Sequence, residues 1–229
     1  MKNSNYYSFL ILLSIVLFCS HTYAQDSSLF MHYSIFGGAA FPLGDFSSTT
    51  ANDAGFAHTG LCAMVEADKN ISEDVYWASS IALAVNPMDQ SSLENYTGVQ
   101  GGNFLKYNGS NVSTGSYLTA WLMTGVGFEL PVSSAVKIYS VEQIGLLISK
   151  IPPITGYYVG SSVTETATTG AAFAVGLGAG VIMHDINLSL RYYTGEPFYT
   201  STETTVYGSW NIRADMPVTL LQFMIGYNF

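Results

Sequence analysis

The stretch AFAVGLGAGVIM, Ala172 to Met183, decides the fold. Phe173, Val175, Leu177, Ala179, Val181 and Met183 share one parity, and Ala172, Ala174, Gly176, Gly178 and Gly180 share the other. A period of two is that of an extended strand. Glycine at every second position also makes a poor helix, because each interior glycine costs about 1 kcal/mol relative to alanine. The segment reads as a strand with one bulky aliphatic face and one nearly bare face.

The same two-sided pattern recurs along the chain. From Thr219 to Phe229, the residues Thr219, Leu221, Phe223, Ile225, Tyr227 and Phe229 oppose Leu220, Gln222, Met224, Gly226 and Asn228. From Tyr117 to Leu130, the residues Leu118, Ala120, Leu122, Val126, Phe128 and Leu130 oppose Tyr117, Thr119, Trp121, Gly125, Gly127 and Glu129. Val75 to Asn86 and Ile186 to Thr194 repeat it. Three less regular segments, His32 to Phe41, Phe56 to Lys69 and Val136 to Lys150, bring the expected count to eight. In Val136 to Lys150 neither parity is tidy, since Glu142 falls among Ile138, Ile144 and Leu146, and a β-bulge is the expected remedy.

Connections between these segments alternate in length. Short ones lie near Asn70 to Asp74, Pro131 to Ala135 and His184 to Asp185. Long ones lie at Pro42 to Gly55, Pro87 to Gly115, Ile151 to Thr169 and Gly195 to Asp215. Short periplasmic turns and long outer loops are the habit of transmembrane barrels. The expected fold is all-β, an eight-stranded antiparallel up-and-down transmembrane barrel with both ends of the chain on the periplasmic side.

Composition fits. The chain is apolar overall, with 10% charged and 14% aromatic residues. No segment after the N-terminal stretch is an uninterrupted apolar run of the length a spanning helix needs. That N-terminal stretch reads as an export signal: Lys2 is its only charge, an apolar run extends from Phe9 to Phe18, and Thr22-Tyr23-Ala24 precede Gln25. Cleavage after Ala24 would divide the chain into a 1–24 leader and a 25–229 barrel domain. A lipid-anchored start at Cys19 is disfavoured by bulky Phe18. Loss of the leader leaves Cys62 alone, so no intramolecular disulfide is expected. A formal net charge of −9 argues against nucleic acid as a partner, since phosphate backbones are bound by clustered Lys and Arg.

From Met31 to Phe229 the chain resembles the small eight-stranded outer-membrane barrels of the OmpA and OmpX type, a porin-like family. The opening stretch GGAAFPLGDF, Gly37 to Phe46, and the terminal alternation carry the likeness. The resemblance implies that Phe223, Ile225, Tyr227 and Phe229 form the signal read by the barrel-assembly machinery. Because the sequence stops at Phe229, the wall-anchoring domain of longer members is not expected. Implied partners are outer-membrane lipid, the assembly machinery and an unidentified extracellular ligand, with a monomer as the default state.

Counting parity from the apolar faces places Glu66, Glu129 and Arg191 toward the lumen, where a charge needs a partner or water. They are the candidate binding residues: a lumenal charge network that pins strand register or, as the resemblance implies, plugs or gates the interior. An eight-stranded barrel has room inside only for side chains. Trp121, Met123, Tyr117 and Tyr193 would fill much of it, so no wide aqueous channel is expected.

Of His21, His32, His58 and His184, only His58 is placed to meet acids or serines of the loops, and no catalytic motif accompanies it. The histidines are too scattered for a metal site, and no cofactor is expected. The loops are acidic, with Asp45, Asp53, Asp89, Glu94, Glu165, Glu196, Glu203 and Asp215 against Lys106 and Arg213. They also carry Tyr96, Phe104, Tyr107, Tyr157, Tyr158, Tyr199, Tyr207 and Trp210 as candidate contact residues or interfacial anchors.

Four readings stay open at this point. They are a surface-contact protein anchored by its barrel, a lipid-modifying enzyme using His58, a narrow gated pore, and a soluble exported barrel with its apolar face inward. Gly and Ala opposite bulky aliphatics favour the aliphatic face pointing out into lipid.

Overall fold

The computed structural model describes residues 31–50, 54–100, 111–158, 161–205 and 208–229. The leader expected at 1–24, with Cys19 and His21, lies outside these residues, as do Asp53, Phe104, Lys106, Tyr107 and Tyr207. The side chains of Tyr96, Tyr157, Tyr158 and Trp210 also fall outside the description.

Eight strands form the wall: Met31–Leu43 (β1), Gly60–Asn70 (β2), Val75–Pro87 (β3), Ser116–Pro131 (β5), Val136–Ile151 (β6), Thr168–Met183 (β9), Ile186–Gly195 (β10) and Val218–Asn228 (β13). Each expected segment becomes one of them, with ends shifted by a few residues; the second begins at Gly60 rather than Phe56. Every neighbour is antiparallel in the closed order β1-β13-β10-β9-β6-β5-β3-β2. The ring closes where β1 meets β13, in a register running from Ser34 opposite Asn228 to Leu43 opposite Thr219. Turns at one end are tight. Between β9 and β10, His184 adopts φ 57°, the left-handed conformation a two-residue hairpin turn demands.

Parity sorts two environments, as the sequence implied. Phe173 and Phe223 are exposed on the outer surface, as are Leu118, Phe128, Ile144, Leu146, Leu177 and Ile225 around the ring. A continuous exposed apolar belt on every side of a closed barrel is a membrane-spanning surface. Gly176, Gly178 and Gly180 point inward and are not empty positions. A Cβ at Gly176 would lie 2.8 Å from two carbons of the Tyr193 ring, at Gly178 2.5 Å from Arg191 Cδ, and at Gly180 2.5 Å from two carbons of the Tyr139 ring. The bare face of β9 is therefore the space into which large side chains of the adjacent β6 and β10 lie down.

The bulge expected in β6 is absent. Its register is unbroken against β5, from Leu118–Lys150 to Pro131–Lys137, and against β9, from Val136–Met183 to Ile151–Thr168. Tyr139, Val141, Gln143, Leu147 and Ser149 face inward and are buried, and Glu142 faces out with the isoleucines. Irregular patterning here comes from the side chains on a regular strand.

The long connections are not structureless. They contribute Asn111–Ser113 (β4), Ile154–Tyr158 (β7), Ser161–Glu165 (β8), Phe198–Thr205 (β11) and Gly208–Asp215 (β12), which join in a second sheet of order β12-β11-β8-β7-β4. A helix, Gln90–Gln100 (α1), lies in the same loop as β4.

Candidate functional site

The lumen divides into a polar portion and an apolar plug. At the tight-turn end, Ser34 Oγ donates to Asn228 Oδ1 at 2.8 Å, and the Tyr139 hydroxyl donates to Asn187 Oδ1 at 2.9 Å. Further in, Arg191 Nη2 donates to Glu66 Oε1 at 2.7 Å, Arg191 Nε donates to Ser189 Oγ at 3.0 Å, and the guanidinium lies 5.6 Å from the centre of the Tyr139 ring. Gln143 Nε2 donates to Ser80 Oγ at 3.2 Å. Burial is complete here, with Arg191 at 0% and Glu66 at 3% side-chain exposure.

Sequence parity thus leads Glu66 and Arg191 to one another across the barrel, but not Glu129. Glu129 sits near the mouth and accepts from Lys137 Nζ at 2.7 Å, a pair half open to solvent. Asp68 was missed, although it lies two residues from Glu66 and so shares its inward face. Glu66 Oε2, Asp68 Oδ1, Arg191 Nη1 and both amide atoms of Gln222 find no protein partner among the described residues. Gln222 is directly opposite Arg191 in the register.

Above this layer the Trp121 and Tyr193 rings stack at 5.3 Å, and the Tyr193 hydroxyl contacts Met64 Sδ at 3.5 Å. Met123, Leu147 and Leu220 are buried with them. Phe46 packs edge-on to Tyr117 at 4.9 Å, and the Tyr117 hydroxyl donates to the Gly55 carbonyl at 2.7 Å. Tyr199 belongs to this plug too. It is 2% exposed, which removes it from the exposed loop aromatics; burial pushes its phenol up to about 12. Side chains therefore occupy the outer part of the barrel as its diameter predicts.

On the outer rim, His58 Nε2 lies 3.2 Å from Asp89 Oδ2 beside an open cleft of about 210 Å³ that Pro42, Ser47 and Thr49 help line. Asp89 also caps α1: its Oδ1 accepts from the Ser92 backbone N–H at 3.0 Å and from the Ser91 hydroxyl at 2.8 Å, and its Oδ2 accepts from the Ser92 hydroxyl at 2.5 Å. The Ser92 hydroxyl above all, then the Ser92 amide, the Ser91 hydroxyl and His58 hold the Asp89 carboxyl well below the usual carboxylate range. Both serine hydroxyls thus bond to the acid rather than to the imidazole. A nucleophile–base pair needs the hydroxyl on the base. Among the described residues no three or more His, Cys, Asp or Glu side chains gather in a way that could hold a metal ion.

In the outer sheet, β11 pairs with β12 from Phe198–Asp215 to Thr205–Gly208 and with β8 at Glu203–Glu165 and Thr204–Thr164. β7 joins β8 to β4. Strands from three separate loops thereby hold one another, with Ser201 Oγ donating to Glu165 Oε1 at 2.5 Å between two of the loops, while Thr202 Oγ1 donates to Asn211 Oδ1 at 3.0 Å within the β11–β12 hairpin.

Phe223, Ile225, Tyr227 and Phe229 all lie exposed along the outer face at the end of the chain, with the Tyr227 and Phe229 rings edge-to-face at 5.1 Å.

No protein-family model and no curated protein sequence matches the chain. Solved structures do. A major outer-membrane protein from Thermus thermophilus is similar at 11% identity over 87% of this chain and 100% of its own, with a TM-score of 0.51. Ail, the attachment invasion locus protein of Yersinia pestis, is 12% identical over 86% and 98% at a TM-score of 0.46. The outer membrane protein OprG from Pseudomonas aeruginosa is 11% identical over 86% and 95% at 0.44. Identities this low speak to fold alone, and the Thermus protein is the one of the three whose superposition supports it. Taken with the closed ring, the apolar belt and the inward glycines, the chain is an eight-stranded antiparallel transmembrane β-barrel with the fold of bacterial outer-membrane proteins.

Proposed function

We propose that the chain is a surface-interaction protein of the outer membrane, in which the barrel is the anchor and the outer loops make contact. The supporting observation is the five-stranded sheet assembled from three loops above a plugged barrel. Ordering long loops costs roughly 1–2 kcal/mol of backbone entropy per residue. Cross-loop pairing meets that cost and presents a defined polar face bearing Thr202, Thr204, Asn211 and Arg213. Rigid presentation favours recognition, because less ordering remains to be done on binding.

A lipid-modifying role for His58 is weaker on geometry, since Ser91 and Ser92 bond to Asp89. A gated pore is weaker because Trp121, Tyr193, Tyr117 and Tyr199 fill the path.

The test replaces Phe198–Asp215 with a short turn and compares cells displaying the two forms on an array of immobilised glycans and extracellular proteins. Binding lost by the shortened form, with heat-modifiable gel mobility retained, supports the proposal. Equal binding by both forms, or by neither, overturns it. His58→Ala should leave lipid A and phospholipid turnover unchanged.

A further inference from the structure

Glu66 and Asp68 take successive inward positions on β2, about 7 Å apart along the strand. Arg191 bonds to Glu66 Oε1, while Glu66 Oε2 and Asp68 Oδ1 are buried oxygens without a protein partner among the described residues. Gln222 stands opposite Arg191 in the register, is 0% exposed, and has neither amide atom bonded. The polar portion of the lumen thus collects three buried acceptor oxygens, one of them on a neutral side chain, beside a single guanidinium.

The charges there do not balance. Glu66 and Asp68 are two acids against Arg191, and Glu129 is already matched by Lys137. Asp68 is within electrostatic reach of Glu66, Arg191 and Glu129. Among the described residues no further cation is placed to help: Lys69 alternates onto the outer face of β2, Lys150 is at the loop end of β6, and Arg213 belongs to the outer sheet. His32 shares the inward parity of β1 but is exposed at the start of the strand. A buried charge without a counter-charge is very costly.

We propose that the polar portion of the lumen binds one alkali-metal cation, with Glu66 Oε2, Asp68 Oδ1 and Gln222 Oε1 as its protein ligands. Oxygen is the ligand atom that hard cations take. One positive charge restores neutrality, whereas a divalent ion would leave an excess beside Arg191. Asp68 is only partly buried and lies on the turn side of Glu66, which gives the ion its way in. Met64 and Tyr193, one inward position further out on β2 and β10, belong to the plug and close the other side. The ion therefore resides in a dead end and is not conducted. Water completing its shell offers acceptors to Arg191 Nη1 and Gln222 Nε2. None of this depends on what the outer loops bind.

The experiment follows the urea midpoint of the folded barrel in detergent as NaCl replaces N-methyl-D-glucamine chloride at constant ionic strength. Sodium NMR relaxation measures binding directly. The midpoint should rise with Na⁺ and saturate, and the folded barrel should add a sodium relaxation that the urea-unfolded chain lacks. Asp68→Asn and Gln222→Leu should each raise the half-saturating Na⁺ concentration about tenfold or more. Asp45→Asn, an exposed acid of the loop end, should leave it unchanged. The readout is the dependence on Na⁺ rather than the midpoint itself, so a less stable variant still reports, and the relaxation of the unaltered barrel needs no variant to fold. Equal midpoints in the two salts, no added relaxation, or an unchanged Na⁺ dependence in Asp68→Asn overturns the proposal in favour of water or a proton at Asp68. Saturable stabilisation by CaCl₂ that NaCl does not give overturns it in favour of a divalent ion.

Discussion

Arg191 Nη2 and Glu66 Oε1, 125 residues apart in the chain, meet at 2.7 Å in the lumen with neither side chain open to solvent. The pair joins β10 to β2, which are not neighbours in the wall. It is a strut across the barrel rather than a clip between adjacent strands.

Removing one end of that strut leaves the other charge buried. Arg191→Gln should destabilise the folded barrel by about 3–5 kcal/mol, read as a lower urea midpoint in detergent or vesicles. Glu129→Gln should cost under about 1 kcal/mol, because Lys137 and Glu129 meet in a partly open site. Equal losses from the two variants would contradict the assignment of Glu66, and not Glu129, as the partner of Arg191.

Gly176 accommodates the Tyr193 ring, which is stacked on Trp121 and cannot swing aside. Gly176→Ala should therefore cost about 1–3 kcal/mol through overpacking. A second substitution, Tyr193→Leu, should recover part of it. The measurement is a double-mutant cycle on unfolding free energy.

The plug formed by Trp121, Tyr193, Tyr117, Tyr199 and Phe46 closes the outer part of the lumen. Planar-bilayer recordings should show no large steady openings. Trp121→Ala combined with Tyr193→Ala is the variant expected to admit small ion currents, and large openings in the unaltered protein would refute the closed lumen.

Asp89 joins His58 to the start of α1 with its carboxyl held below the ordinary range. A carboxyl depressed on folding contributes stability at pH values above its unfolded value, about 3.9, and loses it as pH falls through the folded value. Hydrogen exchange of the Ser92 and Leu93 amides should be slow at neutral pH and faster, after correction for intrinsic rates, in strong acid. Asp89→Ala should remove the cap, worth about 1 kcal/mol, and flatten that pH dependence.

The wall was legible in sequence because each strand meets two different environments, and parity records them residue by residue. Ala172–Met183 shows why: aliphatics face lipid, and glycines receive Tyr193, Arg191 and Tyr139. Parity also brought out Glu66 and Arg191, but it cannot show which inward charges meet, and so did not separate them from Glu129. Glu142 misled the reading toward a bulge, since a pattern rule assumes an acid avoids lipid. The outer sheet was invisible because β4, β7, β8, β11 and β12 come from different loops, and their pairing depends on strands far apart in sequence. Tyr199 looks like any loop tyrosine until β11 carries it over the lumen.

The seam from Ser34–Asn228 to Leu43–Thr219 unites the first and last strands of the ring. Until β13 has been synthesised, β1 has no mate on that side, and its row of backbone donors and acceptors cannot be left bare in hydrocarbon. Closure thus needs the last strand in place, and a truncated product lacking β13 would be left with an open seam. Folding dominated by so distant a pairing is inherently slow, which makes the journey across the periplasm, more than the finished structure, the stage at which this chain is most vulnerable.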